Sequence, residues 1–397
     1  MKHWLLAFCL AALSAFAGTT PQMAGIIASS YHASTGFPSG WSRKCPLVID
    51  HTKVSAAVAA PAHFPVLVSY RTVGTATNLP DECMLTAGTY AAKSDGGDIR
   101  FTSDSAGTVP LHSEVVTFAL ADPVTNASAE IWVNVPALSA SADTTIYVFY
   151  HNAAATMPTA NDASWGSQGV WDANFAGVWH LRETGTGAAA DYKDSTSNAN
   201  DSTNTTGQPA AATAKIGKGQ TTNGSSTYVD VGMAASLQLG TTGTVSTWFY
   251  PHTAFAFAHM VSDMNAATGH NGYAIFTAVY ATQFKVGIGS ATVNKGIGDT
   301  GVSTLDTWYY GTSTWDGTNL NIYTNGAYIN HVAQVTPVTN AYDVSFGRSG
   351  EGASWFTGSL DEVRISNIAR SADWILTEYN NQNAPTSFLT VGTPGAP

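Results

Sequence analysis

The chain has 397 residues, only 11% of them charged, and a formal net charge of −11. That length exceeds one ordinary core and divides naturally into two domains; a charge content well below the roughly 25% of ordinary soluble proteins leaves solvation to Thr, Ser, Asn and Gly, residues suited to sheets and turns. Residues 40–165 carry six basic and eleven acidic groups and residues 166–397 carry nine and sixteen, so neither half offers the basic stripe that nucleic acid requires.

Residues 1–17 read as a secretory signal, with Lys2 and His3 ahead of an apolar stretch and Ala15, Phe16 and Ala17 before Gly18. The alternative is an apolar strand or helix retained in the mature fold. Cys9 lies inside this stretch, where the bulky Phe8 before it speaks against lipid attachment. Beyond it no apolar run nears the roughly 20 residues of a membrane helix. The expected location is therefore secreted, extracellular or at the cell surface, without a membrane span once the signal is removed. Residues 18–40 form a linker or an assembly arm, in which the apolar patch 23–28 can add as a strand to a neighbouring copy. Cys45 and Cys83 remain as an even pair. A disulfide between them would contribute roughly 3 to 4 kcal/mol in an oxidising compartment; two buried free thiols are the alternative.

Strand-type runs recur at 47–50, 64–70, 99–102, 115–120, 130–135 and 145–150. In one of them Ile131, Val133 and Val135 alternate with Trp132 and Asn134, the pattern of a half-buried strand in a β-sandwich. The Ala-, Thr-, Asn-, Ser- and Gly-rich stretch 152–169 marks a boundary. Beyond it, residues 308–331 predict a three-stranded meander, with Asp316-Gly317 and Asn325-Gly326 at its two turns and Trp308, Tyr310, Leu320, Ile322 and Tyr323 in its core. Residues 371–380 predict a short surface helix that begins at a Ser371 cap, with Asp373 in the first turn and Trp374, Ile375 and Tyr379 near one side.

Two resemblances cover most of the chain. Residues 41–181, carrying WSRKCPLVIDHTKV, HFPVLVSY, GGDIRFT, LHSEV, TTIYVFYHN and VWDANFAGVWHL, resemble the bacterial domain-of-unknown-function family 2341. Residues 170–392, with VWHLRE, DSTSNAND, the meander and GSLDEVRISNIARSADWILTEYNNQ, resemble laminin-G-like, concanavalin A-like lectin/glucanase domains. The fold class that follows is all-β: a β-sandwich over 41–165 and a jelly roll of two curved sheets over 166–397. The second resemblance implies sugar binders, adhesion modules and glycoside hydrolases alike, so function has to come from the site.

A retaining glycosidase needs two carboxylates about 5 Å apart, usually at alternate positions of one strand. No Glu-x-Asp-x-Glu run is present, and strand alternation sends the adjacent Asp361 and Glu362 to opposite faces. Glu362 and Arg364 share a face and can pair. An Asp at the place of Asp361 resembles, in related jelly rolls, a ligand of a structural calcium, with Glu183, Asp194, Asn198 and Asn200 as further oxygen donors. The bland reading makes Asp194 and Asn198 turn residues. His252, His259, His270 and His331 lack the spacing of a metal helix, and neither Gly-x-Ser-x-Gly nor a phosphate loop occurs. Trp355, Phe356, Tyr280 and Tyr342 are the candidates for stacking on sugar rings, against the commoner use of aromatics as core. The expected function is extracellular adhesion or carbohydrate binding without catalysis, the partner being a glycan or cell-surface polymer. The rivals are a self-assembling subunit of a filament, sheath or virion fibre, using residues 18–40, and a divergent glycoside hydrolase.

Overall fold

The computed structural model describes residues 40–55, 63–70, 83, 91–120, 128–253, 257–265, 271–278, 283–290, 294–299, 302 and 304–396. The signal segment and all but the last residue of the 18–40 arm lie outside these. In chain order the first strands are β1 (Arg43–Ile49), β2 (Phe64–Tyr70), β3 (Arg100–Thr102), β4 (Pro110–Leu111), β5 (Ser113–Ala119), β6 (Ser128–Val135) and β7 (Thr144–Tyr150). They are followed by β8 (Phe175–Trp179), β9 (Ala211–Thr213), β10 (Lys218–Asn223), β11 (Val229–Asp230), β12 (Thr242–Pro251), β13 (His259–Ser262), β14 (Gly272–Ala278), β15 (Gln283–Gly289) and β16 (Asn294–Asp299). The meander β17 (Tyr309–Asp316), β18 (Asn319–Thr324) and β19 (Ala327–Ala333) leads through β20 (Ser345–Phe346) to β21 (Thr357–Ser366). Helices α1 (Ala372–Asn383) and α2 (Pro385–Phe388) and the last strand, β22 (Leu389–Val391), close the chain.

These strands build two sandwiches. In the first, a five-stranded sheet ordered β22-β1-β7-β3-β4 packs on a three-stranded sheet ordered β2-β6-β5. Leu47, Phe101 and Val148 of one sheet meet Val66, Ile131 and Val133 of the other. In the second, an eight-stranded sheet holds β19-β18-β17-β12-β21-β10-β9 with β8 on β21, and a six-stranded sheet holds β11-β20-β13-β14-β15-β16. Val245, Trp315, Leu360 and Ile365 there face Met260, Ile275, Val286 and Phe346. The meander forms as its turns predict: Asn325 and Gly326 both take positive φ, the conformation of a tight two-residue hairpin. Trp308 is half-buried against Tyr250 and stays out of the core, while Tyr310, Leu320 and Ile322 are buried.

The two sandwiches are not separate along the chain. β22 leaves the second sandwich and pairs antiparallel with β1, Leu47 opposite Val391. Trp171, Phe175, Ile216, Trp374 and Phe388 pack into the first core. Helix α1 does begin at Ser371, whose side chain accepts from Trp374 N, but it is a wedge and no surface element. Its Trp374 enters the first core, Asn381 exchanges hydrogen bonds with both the N–H and the carbonyl of Leu67 on β2, and Gln382 accepts from Trp248 Nε1 on β12.

Cys45 and Cys83 are free, buried thiols in the first core. They are neighbours: burial first, and then a hydrogen bond to Cys45, push the Cys83 thiol well above its ordinary range. Refolding in a glutathione redox buffer is expected to join them, lowering the intact mass by about 2 Da and raising stability by roughly 3 to 4 kcal/mol over the Cys45→Ala variant. Intact-mass analysis with denaturant melts checks this. Alkylation of both Cys45 and Cys83 after complete refolding would show the pair to be unbonded.

Candidate functional site

Two places gather polar chemistry, one half-exposed and one buried. The first lies at the start of the six-stranded sheet of the second sandwich, where β11 pairs with β20 and the chain runs on into the loop ahead of β21. Tyr228 immediately precedes β11, Arg348 follows β20 and Trp355 stands in the loop. The rings of Tyr228 and Trp355 meet edge to face at 5.7 Å, both half-exposed. The Arg348 guanidinium lies 3.6 Å over the Tyr228 ring and 5.5 Å from that of Trp355. Its Nη2 donates to Asp230 Oδ2 at 2.6 Å, and Ser345 Oγ donates to the other oxygen of that carboxylate. Burial raises the Asp230 carboxyl above its usual range, opposed by Ser345 and Arg348. The result is a half-exposed plate of two rings set nearly at right angles with a cation stacked on one of them, a combination that offers apolar ring surface beside hydrogen-bond donors.

Among the sequence candidates, Trp355 alone belongs to this plate. Phe356, next in the chain, points inward and is core. Tyr342 is half-buried and its hydroxyl accepts from Asn265 Nδ2 at 2.8 Å; Tyr280 lies outside the described residues. Tyr228 and Arg348 escape sequence reasoning. The available signal was Arg348 at the head of the Gly-rich run that ends in Trp355.

The oxygen set expected to hold calcium is placed as follows. Asp194 Oδ1 accepts from Val178 N and Thr196 N, and Oδ2 from Thr196 Oγ1 and Asn200 N. Asn198 and Asn200 turn their amide nitrogens to the carbonyls of residues 175 and 176. Asp361 Oδ2 accepts from Ile216 N at 2.7 Å, and Glu183 Oε1 from Lys193 N. The carbonyls of Leu181 and Glu183 accept from Gln220 Nε2. Asp194, Asn198 and Asn200 thus come together as the clasp of one loop on β8, and a cation there would compete with protein donors for the same lone pairs.

The second place is the contact between the sandwiches. β6 turns Ile131, Val133 and Val135 into the first core, as alternation predicts, yet Glu130, Trp132 and Asn134 on its other face are buried too. β21 likewise turns Leu360, Val363 and Ile365 inward while Asp361, Glu362 and Arg364 are buried. Each outer face is covered by the other sandwich. A β-bulge sets Glu362 and Val363 between the pairs Ser246–Arg364 and Trp248–Asp361, and Glu362 takes φ 52°. A non-glycine residue in that region costs on the order of 1 to 2 kcal/mol. The cost re-aims the Glu362 side chain into the contact.

There Arg364 Nη2 donates to Glu362 Oε2 at 2.8 Å and Nη1 to Glu378 Oε1 of α1 at 2.5 Å, so the expected Glu362–Arg364 pair is present. Tyr310 donates to the other Glu378 oxygen at 2.6 Å. The guanidinium lies 4.3 Å over the Trp132 ring and 5.0 Å over that of Trp171. His180, just beyond β8, places Nδ1 2.6 Å from Glu362 Oε1 and 3.8 Å from Glu130 Oε1, and Nε2 3.4 Å from Glu114 Oε2. Burial would discharge the imidazole, but the carboxylates of Glu362 and Glu114 outweigh it and raise its pKa well above the usual histidine range. Burial also drives Glu130 up, to about 8, with the Glu362 charge adding to the effect. On Glu362 itself the burial penalty is overcome by His180 and Arg364, and its pKa is lowered. Sequence reasoning passed over His180, whose partners come from β5, β6 and β21 and leave no spacing to read. Of the histidines considered from the sequence, His252 Nδ1 bonds Asp306 at 2.8 Å and His331 Nδ1 bonds the Tyr328 hydroxyl at 2.6 Å, both on the surface, while His259 is buried and His270 lies outside the described residues.

With this geometry in place, the similarities of the chain can be stated. Residues 223–376 match the concanavalin A-like lectin/glucanases superfamily. Residues 95–165 match the domain of unknown function DUF2341. No curated protein matches. Among solved structures, the binding domain of paraclostridial mosquitocidal protein 1 is 14% identical with a TM-score of 0.41, and the match covers 52% of each chain. Domain 4 of an extracellular arabinanase from Geobacillus stearothermophilus, solved with arabinotriose, is 18% identical with a TM-score of 0.42, over 53% of this chain and 100% of that one. The CBM40 of a Ruminococcus gnavus sialidase is 12% identical with a TM-score of 0.32, over 37% and 86%.

Near Tyr342 sits one further acid outside both places. Asp263 is buried after β13, and Oδ1 accepts from Tyr273 N at 2.6 Å. Burial, the largest influence, raises its pKa to about 7 against hydrogen bonds that lower it. The folded chain therefore holds this proton up to about pH 7 and the unfolded chain only up to about pH 4. Stability that is full below pH 4 is lost as pH rises through 7, on the order of 4 kcal/mol at most. Asp263→Asn should remove this contribution, so the variant gains on the wild type between pH 5 and 8, whatever its constant offset. Melting curves across that range check it; parallel pH profiles would contradict it.

Proposed function

We propose that the chain is an extracellular or cell-surface carbohydrate-binding protein, with adhesion as its role and no catalytic step. The observation that carries the reading is the Tyr228–Arg348–Trp355 plate on a domain of the lectin/glucanase superfamily. Two half-exposed rings provide stacking surface at low entropic cost, and the Arg348–Asp230 pair presets the donors that orient hydroxyl groups.

A binding role is favoured over hydrolysis by the environment of the carboxylates. Glu130 and Glu362 do approach each other, as an acid and a nucleophile would, but they are 4% and 0% exposed in the contact between sandwiches. Glycoside hydrolysis needs such a pair flanking a sugar in an open cleft. Export rests on residues 1–17, and no helix among the described residues is long and apolar enough to cross a membrane.

The test is an array of microbial, plant and animal oligosaccharides probed with the full chain. Wild type should capture a discrete set of glycans, and Tyr228→Ala or Trp355→Ala should weaken that binding roughly five- to fiftyfold without a change in melting temperature, as truncation of a binding hot spot does. Undiminished binding by both variants would remove the plate as the site. No binding to any glycan would remove the function.

A further inference from the structure

We propose that Glu130, His180 and Glu362 form a site for one divalent transition-metal cation of zinc type, enclosed between the two sandwiches. Each residue offers one ligand atom, and the three atoms lie within 4.8 Å of one another. A tetrahedral zinc with bonds of about 2.0 to 2.1 Å separates its ligands by roughly 3.3 Å. The distances from His180 Nδ1, 2.6 Å to Glu362 Oε1 and 3.8 Å to Glu130 Oε1, bracket that value and need shifts of well under 1 Å.

An independent observation points to a ligand. Glu130 is 4% exposed, and among the described residues its Oε1, the atom turned toward His180, has no hydrogen-bond partner. Trp132 Nε1 approaches Glu130 without reaching bonding geometry and is itself left without a partner. A buried acceptor with nothing to accept is rare enough to require a cause. Glu130 is also held close on its other side, since a Cβ on Gly217 would stand 2.6 Å from Oε2.

The surroundings have the construction of an outer coordination shell. A metal-bound imidazole donates its second N–H to a carboxylate that fixes the ring. His180 Nε2 faces Glu114 Oε2, and Glu114 is in turn held by Trp171 Nε1 at 2.8 Å and Ser195 Oγ at 2.6 Å. Glu362 keeps one oxygen for the cation because Arg364 occupies the other. Among the described residues the carboxyl groups of Glu114, Glu130, Glu362 and Glu378 converge on Arg364 and His180. One imidazole and two carboxylates suit zinc or a neighbouring first-row ion, whereas calcium and magnesium take all-oxygen sets of six or more. The cation replaces the proton shared along the Nδ1–Oε1 line, so binding releases protons. Because the site is closed, loading accompanies folding.

The experiment refolds the full chain from denaturant and EDTA, with and without zinc, then dialyses and measures bound metal by mass spectrometry. One zinc per chain, a raised melting temperature and, for cobalt refolding, the visible absorption of a tetrahedral site are expected. Glu130→Gln, which keeps the shape of the side chain, should lower affinity at least tenfold, while His51→Ala at the exposed Asp50–His51–Asp143 cluster should leave it unchanged. Less than a tenth of a zinc per refolded wild-type chain overturns the proposal even if the variants do not fold. So does zinc that survives Glu130→Gln or is lost with His51→Ala.

Discussion

Two polar sheet faces pressed together set the terms for the rest of this molecule. Burying Glu362 and Glu378 without compensation would cost several kcal/mol each, and a single arginine answers much of that cost. Arg364 donates to Glu362 and Glu378 and rests on the faces of Trp132 and Trp171, so it joins β21, α1 and the first sandwich at once. Removing one partner from a buried network of this kind leaves an uncompensated charge and is strongly destabilising.

Other features follow from that contact. The bulge at Glu362 is tolerated because it delivers a carboxylate where Arg364 and His180 need one. α1 docks by polar exchange with β2 and β12 together with apolar burial of Trp374. β22 then returns to the first sheet, so the chain ends beside the strand that opens the described fold. A loop clasped by Asp194 holds Ser195 against Glu114, which ties the second sandwich to β5 of the first. The half-exposed plate of Tyr228, Arg348 and Trp355 involves none of these residues.

Strand positions were legible wherever one face was apolar and turn residues bounded the run, as in β2, where 64–70 is read in full, and in the meander with its Asn325-Gly326 turn. The pairing of Glu362 with Arg364 was legible from their spacing. What alternation could not reveal is that an outward face is covered by a second sandwich: Trp132 and Asn134 read as exposed and are buried. The bulge was invisible because glutamate carries no preference for positive φ. α1 read as a surface helix since Trp374, Ile375 and Tyr379 mark one apolar side, whereas Glu378, Asn381 and Gln382 are buried as well, Glu378 and Gln382 through hydrogen bonds to Arg364, Tyr310 and Trp248 and Asn381 through Leu67. Trp355 was found as an exposed aromatic in a loop, but its partners Tyr228 and Arg348 come from distant positions that only the sheet brings together.

The central claim is that the charged contact makes the two sandwiches one cooperative unit. Differential scanning calorimetry of the full chain examines it directly. The account predicts a single unfolding transition whose calorimetric and van't Hoff enthalpies agree. Two resolved transitions, with the first sandwich melting apart from the second, would contradict it.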